Sequence, residues 1–467
     1  MPASFHHWLD QVPDLTELSR GAPDSFPYLL ESTAGGPLGG HSILLHAAGP
    51  KLVARHGREL TGPGEGNTFF ARLDSWFRQE SDAACAELRS EADSLPFRGG
   101  WFVYLGYEMA AEIEPTLTLP AADTGLPDAL AQRCPGAVIV FHEGGPGGVD
   151  RAVVVAESRE LLCQLLERVA GDAVVAPAAA PADPQLEEII EEDPRRFKDA
   201  VKRIHEYLLA GDVFQVNVSR RWAGSFRQAP DPYALYRSLQ VANPAPFAGF
   251  MRESGNFLLS SSPERLVQVR GRIVETRPIA GTRPRGQDLR HDRALSDELI
   301  SNLKERAEHV MLIDLERNDL GRVCRPGTVE VNELMVVETY AHVHHIVSNV
   351  RGELIAGASP IDAMKAVFPG GTITGCPKVR CMEIIAELEG AGRSFYTGSM
   401  GYVGRDGSMD LNILIRSMLV QGRHFTFRTG AGIVADSDPE QEVLETADKA
   451  RGMLLALELH GGEKRYA

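Results

Sequence analysis

The sequence predicts an α+β fold with largely antiparallel sheets. Strand-like runs come in succession, near 258–269 and 271–277, near 329–338 and 345–354, and then at 398–404, 410–420 and 423–430. Helical patterns are long and set apart, near 296–313, 360–367 and 377–389 and in the closing PEQEVLETADKARGMLLAL. Strands in runs favour antiparallel sheets over a doubly wound parallel sheet, whose strands and helices alternate one by one. No internal repeat is present.

Along the chain, Ser42–His46 and Lys51–Arg55 are expected to pair as strands, and 137–141 and 152–156 to flank a hairpin tip, GGPGG. PYLLES (27–32) and GGWFVYLGYE (99–108) have the pattern of core strands. From Ala173 to Asp193 alanine, proline and then acids crowd together, which marks a connector between residues 1–182 and 183–467. Asp193 then caps a helix with Pro194 at its first position, Phe197, Val201, Ile204, Leu208 and Leu209 as its buried stripe and Gly211 as its stop. The strand after it, Val213–Ser219, alternates Phe214, Val216 and Val218 with Gln215, Asn217 and Ser219. Such a polar row faces solvent or lines a cleft, and the pattern alone favours solvent. The helix over 295–319 has apolar positions at Leu299, Leu303, Val310, Met311, Leu312 and Ile313, with Asp297 as a first-turn acid.

With 467 residues, 43% of them hydrophobic, the chain has apolar mass for a sizeable core. The net charge of −16 argues against nucleic acid or an anionic membrane as partner. No run approaches the roughly 20 apolar residues of a membrane helix, and the opening MPASFHHWLDQVPD has no signal-peptide pattern. The six cysteines form no CxxC pair, which disfavours structural zinc and a disulfide framework. A reduced, cytoplasmic protein is expected.

Two ExxE pairs lie on helical patterns, Glu305 with Glu308 and Glu442 with Glu445, so each pair shares one helix face. Facing each other, these carboxylates would need a cation, and an all-oxygen site suits magnesium; apart, they are two solvated faces. GGTITGCPK (370–378) is a glycine-rich loop before a helix, near Lys378 and Arg380, and is an anion site or a tight turn. It is not a Walker loop, because Cys376 stands where lysine is required. Thr429–Gly432 could bring bare backbone N–H groups against a carboxylate. Arg416, amid apolar residues, requires a buried acid or a bound anion. His345 is a general acid/base or a core histidine, and Lys449 forms a helix salt bridge with Glu445 in the simplest reading. Neither HExxH nor a nucleophile elbow is present, and nothing in the chain looks like a glutaminase of its own.

Taken together, GDVFQVNVS, SSPERLV, ETRPIAGTRPRG, KERAEHVMLIDLERND, HHIVSNV, PGGTITGCPKVRCMEII, YTGSMGY, MDLNILIRSM and GAGIVADSDPEQEVLETADKA resemble the chorismate-utilising enzymes over 193–456. The resemblance implies two large, mostly antiparallel sheets packed with helices between them, as in anthranilate synthase large subunits. It implies Mg2+ held by Glu308 and Glu445, with Glu442 and Glu305 completing the acidic pocket. It also implies that Thr372, Tyr396, Arg416, the Gly430–Ala431–Gly432 backbone and Lys449 hold the carboxylates of chorismate, and that His345 serves near the departing C4 hydroxyl. Leu30, Glu31 and Ser32 in LLES resemble the family's tryptophan pocket, or are core.

Gln215 stands where water-adding members are expected to carry a lysine base, so the implied nucleophile is ammonia, supplied by a separate glutamine amidotransferase subunit. PERL, NPAPF, Thr374 in TGCPK and GGWFVYLGYE look like aminodeoxychorismate synthase component I, acting in para-aminobenzoate and folate biosynthesis. PIAGT departs from that pattern, with Ala280 where many such enzymes carry a lysine that attacks C2. Ammonia or water takes that role, or the product is anthranilate, as in anthranilate synthase component I. An inactive member that only binds a partner is a further alternative, disfavoured by the retained carboxylates.

Overall fold

In this computed structural model, residues 4–34, 38, 40–57, 59–81, 95–142, 149–172, 185–286, 288–339 and 343–461 are described. Their strands form two large antiparallel sheets, of twelve and ten strands. The larger runs from Phe5–Leu9 through Arg151–Ala156, Gly136–Phe141, His41–His46 and Tyr28–Glu31 to Phe247–Glu253 and Asn256–Ser262. It continues through Ser417–Gln421, His424–Ile433 and Gln215–Phe226. The smaller contains Ile279–Pro284, Val343–Glu353, Ile273–Thr276, Arg265–Arg270, Met409–Asn412, Ser399–Gly404, Gly100–Leu105, Ala129–Cys134 and Lys51–Ala54. The inner faces meet directly: Tyr28 stacks on Phe102 with centroids 3.9 Å apart, inside a cluster that includes Ile43, Leu45, Tyr104 and Leu130. Helices pack on the outward faces, Phe69–Glu80, Leu303–Gly321 and Pro360–Val367 on the smaller sheet and Pro232–Ala242 and Pro439–Gly461 on the larger.

Local chemistry explains several elements. Asp193 accepts from Arg195 N, Pro194 opens the Pro194–Ala210 helix, and Gly211 closes it at φ +79°. Leu209 is 88% exposed and is not part of the stripe. The long 295–319 pattern is two helices, Leu289–Ser301 and Leu303–Gly321, broken at the extended Asn302. The first is capped by Asp288 with Asp292 as its first-turn acid, so Asp297 does not have that role, and Val310 is 49% exposed.

Sheet membership differs more from expectation. His41–His46 and Lys51–Ala54 do not pair but belong to different sheets. Gly136–Phe141 and Arg151–Ala156 do pair; the GGPGG tip between them lies outside the described residues. The acidic end of the expected connector is a strand, Leu186–Glu191, paired with Gln215–Phe226. Both sheets draw strands from either side of the 182/183 boundary. The runs at 258–269 and 410–420 are each two strands, one in each sheet. Pro263, with no N–H to donate, follows the end of the first.

Candidate active site

The two places where the chain changes sheets lie side by side. Ile413 N donates to Glu264 O at 3.0 Å, and Ser261 N donates to Arg416 O at 3.1 Å. Glu264 and Arg416 therefore face one junction between the sheets. Arg416 is held at φ +50°, a conformation unusual for a side-chain-bearing residue that costs about 1–3 kcal/mol. Burial lowers its pKa, against the charge of Glu264, and among the described residues no ion pair or side-chain hydrogen bond engages its guanidinium. A half-buried cation with no ion-pair partner among the described residues is costly, and such a group suits an anion. Glu264 is buried and accepts from Thr372 Oγ1 at 2.8 Å. Burial pushes its carboxyl up to about 7, while the Thr372 hydrogen bond and the charges of Arg416 and Lys449 pull the other way.

One wall is the strand Gln215–Phe226, where Asn217 pairs with Gly432, Val218 with Ala431 and Ser219 with Gly430. Its polar row does not face solvent: Gln215, Asn217 and Ser219 are 7%, 8% and 6% exposed. The alternate Val216 and Val218 pack beneath the helices Pro194–Ala210 and Lys378–Glu389, which turns the polar row inward. A Cβ on Gly432 would lie 2.1 Å from Gln215 Nε2, and one on Gly430 would lie 2.7 Å from the Tyr396 hydroxyl. Only bare backbone admits those side chains so close. Tyr396 is buried, its hydroxyl pushed up to about 12, with the Arg393 guanidinium 5.5 Å from its ring centroid. Arg393 pairs with buried Glu389 at 2.6 Å and donates to Asn217 O at 2.8 Å and Ile373 O at 3.2 Å. Glu108, in GGWFVYLGYE, accepts from Arg393 N at 2.6 Å, which ties the first part of the chain to this wall.

Of the other expected residues, His345 lies opposite Thr282 in the ladder, and burial and the Arg416 charge lower its pKa to about 4. It is neutral at pH 7. Ala280 lies opposite Ile346, beside a bulge at Gly281, which sits at φ +64°. A Cβ on Gly281 would lie 2.1 Å from Glu305 Oε2. Lys449 Nζ makes two contacts, to Glu445 at 2.8 Å and to Gly430 O at 2.9 Å, so the helix salt bridge is present and reaches the glycine wall. Lys378 is bound to Asp319, and Arg380 to Asp212 and Glu383. The GGTITGCPK turn thus contributes Thr372 to the junction, while its two cations are already paired.

The carboxylates suit magnesium in donor type, and Glu305 Oε2 is buried without a hydrogen bond. Their placement is not a closed ligand set. Glu305 pairs with Arg283 at 2.8 Å, and Glu445 is half exposed and paired with Lys449. Glu442 is buried and Glu308 half-buried, and among the described residues no three acidic, histidine or cysteine side chains converge to hold a metal. Leu30 and Glu31 line a separate cleft of about 320 Å³ between the sheets, with Phe247, Arg265, Met400 and Asp410; Ser32 Oγ donates to Ala34 O.

The pattern reading passed over Glu264 and Arg393, and favoured solvent for the row that holds Asn217. An acid directly after proline, between two apolar runs, was the available signal for Glu264. Nothing local distinguishes Arg393.

Comparison with known proteins finds relatives along most of the chain. Residues 51–455 match the family described as chorismate binding enzyme. Anthranilate synthase component 1 of Cereibacter sphaeroides is 39% identical over 464 residues, covering 95% of this chain and 91% of the relative. Aminodeoxychorismate synthase component 1 of Bacillus subtilis is also 39% identical, over 452 residues, covering 94% and 93%. Among solved structures, anthranilate synthase component I from Streptococcus pneumoniae superposes with a TM-score of 0.76 at 30% identity, covering 89% of this chain and 92% of that one.

Proposed function

This chain belongs to the chorismate binding enzymes, and from that premise we propose that it aminates chorismate with ammonia to 4-amino-4-deoxychorismate, a step toward para-aminobenzoate and folate. The observation that carries the reading is the junction of Arg416, a cation with no ion pair among the described residues, and Glu264, a buried carboxyl raised to about 7. Arg416 answers a carboxylate of the substrate, with Thr372, the Gly430–Ala431–Gly432 wall and Lys449 around it. Glu264, holding a proton near neutrality, can give it to the departing C4 hydroxyl. The C4–O bond breaks, that proton completes a water molecule, and ammonia supplies the electron pair of the new C–N bond. The product amine carries the extra proton and Glu264 is left as a carboxylate, so charge and atoms balance. His345, neutral and close enough to Arg416 to feel its charge, is proposed to orient the leaving group rather than to carry charge.

Gln215 cannot deprotonate water, which supports ammonia over water as the nucleophile. The ammonia is proposed to come from a separate glutamine amidotransferase subunit, in keeping with the "component 1" names of the relatives. Magnesium is proposed as the cofactor, with Glu308, Glu445, Glu442 and Glu305 as its holders; bound there it would supply positive charge against the substrate's ring carboxylate. Cytoplasmic placement is part of the same proposal, and no helix among the described residues is long and apolar enough to cross a membrane.

PERL, NPAPF and Thr374 support amination at C4. One observation favours a second reading: Ala280, opposite Ile346, offers no amine to attack C2, which suits anthranilate synthase. The test is to supply chorismate, magnesium and ammonium and identify the product. A 4-amino product that retains pyruvate supports the proposal, and fluorescent anthranilate with released pyruvate overturns it.

A further inference from the structure

Two side-chain oxygens on the inner wall have no work in the folded chain. Gln215 Oε1 and Asn217 Oδ1 are both buried and neither has a hydrogen-bond partner. Their side chains are 7% and 8% exposed and stand two residues apart on one strand, so they share a face. The third member of the row is occupied: Ser219 Oγ donates to Glu389 at 2.8 Å. Buried amide oxygens left without a donor are rare and costly, and two neighbours on one wall point to a ligand that brings N–H or O–H groups. Gly430 and Gly432, which present no side chain, let both amides lie close against the neighbouring strand: a Cβ on Gly430 would be 3.0 Å from Asn217 Oδ1 and one on Gly432 2.1 Å from Gln215 Nε2.

The ligand is not a carboxylate, because carbonyl oxygens repel one; the cations for that role are Arg416 and Lys449. We propose that Asn217, together with Gln215, forms the seat for ammonia, their two amide oxygens accepting N–H bonds so that the nitrogen lone pair is free to face the ring. A molecule with three donors and one lone pair matches two acceptors better than water, which has two donors and two lone pairs of its own. This inference rests on the amination reading above and names the residue pair that receives the nucleophile. Asn217 is thereby a specificity residue, one position along the face from Gln215.

The experiment uses the full chain with chorismate and ammonium chloride as nitrogen source, comparing Asn217→Ala and Asn217→Leu with the unaltered protein. The expected result is a rise of about tenfold or more in KM for ammonium, with KM for chorismate held within about twofold. An unchanged ammonium KM, or an equal rise in the chorismate KM, overturns the seat while leaving amination standing. Chorismate consumption by the unaltered protein that does not depend on ammonium overturns the seat and the amination reading together. Should the Asn217 variants not fold, Gln215→Met removes the other oxygen at similar length and is judged by the same outcomes.

Discussion

Arg416 and Glu264 show how a site can be built by leaving interactions incomplete. Removing the charge should cost binding but not folding: Arg416→Met is expected to raise KM for chorismate about 10- to 100-fold, the worth of a charge-assisted hydrogen bond. Its melting temperature should equal or exceed that of the unaltered protein, since a half-buried cation with no ion pair has been replaced by an apolar chain. A clear fall in melting temperature would show that Arg416 has a structural partner after all. Glu264→Gln should lower kcat about 10²- to 10⁴-fold. The active form of Glu264 is the acid, so kcat should fall as pH rises through about 7, and that limb should vanish in the variant. The sign for stability is the same: burial raises the folded pKa, so the stability gained from the neutral carboxyl is full below the ordinary carboxylate range and lost as pH rises through about 7. Of these two residues, Arg416 was legible as an unbalanced charge amid apolar neighbours, whereas Glu264 was hidden because a pattern of apolar runs reads straight through it.

At the scale of elements, caps and stops were local and therefore visible: Asp193, Pro194 and Gly211 do what their chemistry predicts. The runs at 258–269 and 410–420 were not, because a strand that changes sheets keeps its β pattern across the change. The polar row of Gln215–Phe226 failed for a related reason, since a period of two separates faces without saying which is covered. What holds that strand against the 393–397 segment is the buried Arg393–Glu389 pair, which Arg428 joins at 2.9 Å from Glu389. Arg393→Met should lower unfolding free energy by about 3–5 kcal/mol in urea titration, because Glu389 keeps its burial and loses a partner. A loss below about 1 kcal/mol would mean that Arg428 alone suffices.

For the whole molecule, the −16 charge opposes the proposed anionic substrate, and the local charges proposed to answer it are Arg416, Lys449 and a magnesium ion. The two sheets are shared by the entire chain: Tyr28–Glu31 pairs with Phe247–Glu253, and Gly100–Leu105 pairs with Ser399–Gly404. Residues 183–467 expressed alone are therefore expected to lack cooperative unfolding and near-UV circular dichroism, and a fragment with a sharp transition would contradict this. The sequence by itself determined the family and the α+β class, because ordered motifs, caps and periodicity are written in neighbouring positions. Only the tertiary structure decided that Glu264 meets Arg416 and that Asn217 faces inward. Those facts depend on pairings between strands far apart in the chain, and on which face of a strand its partners bury, neither of which a local pattern contains.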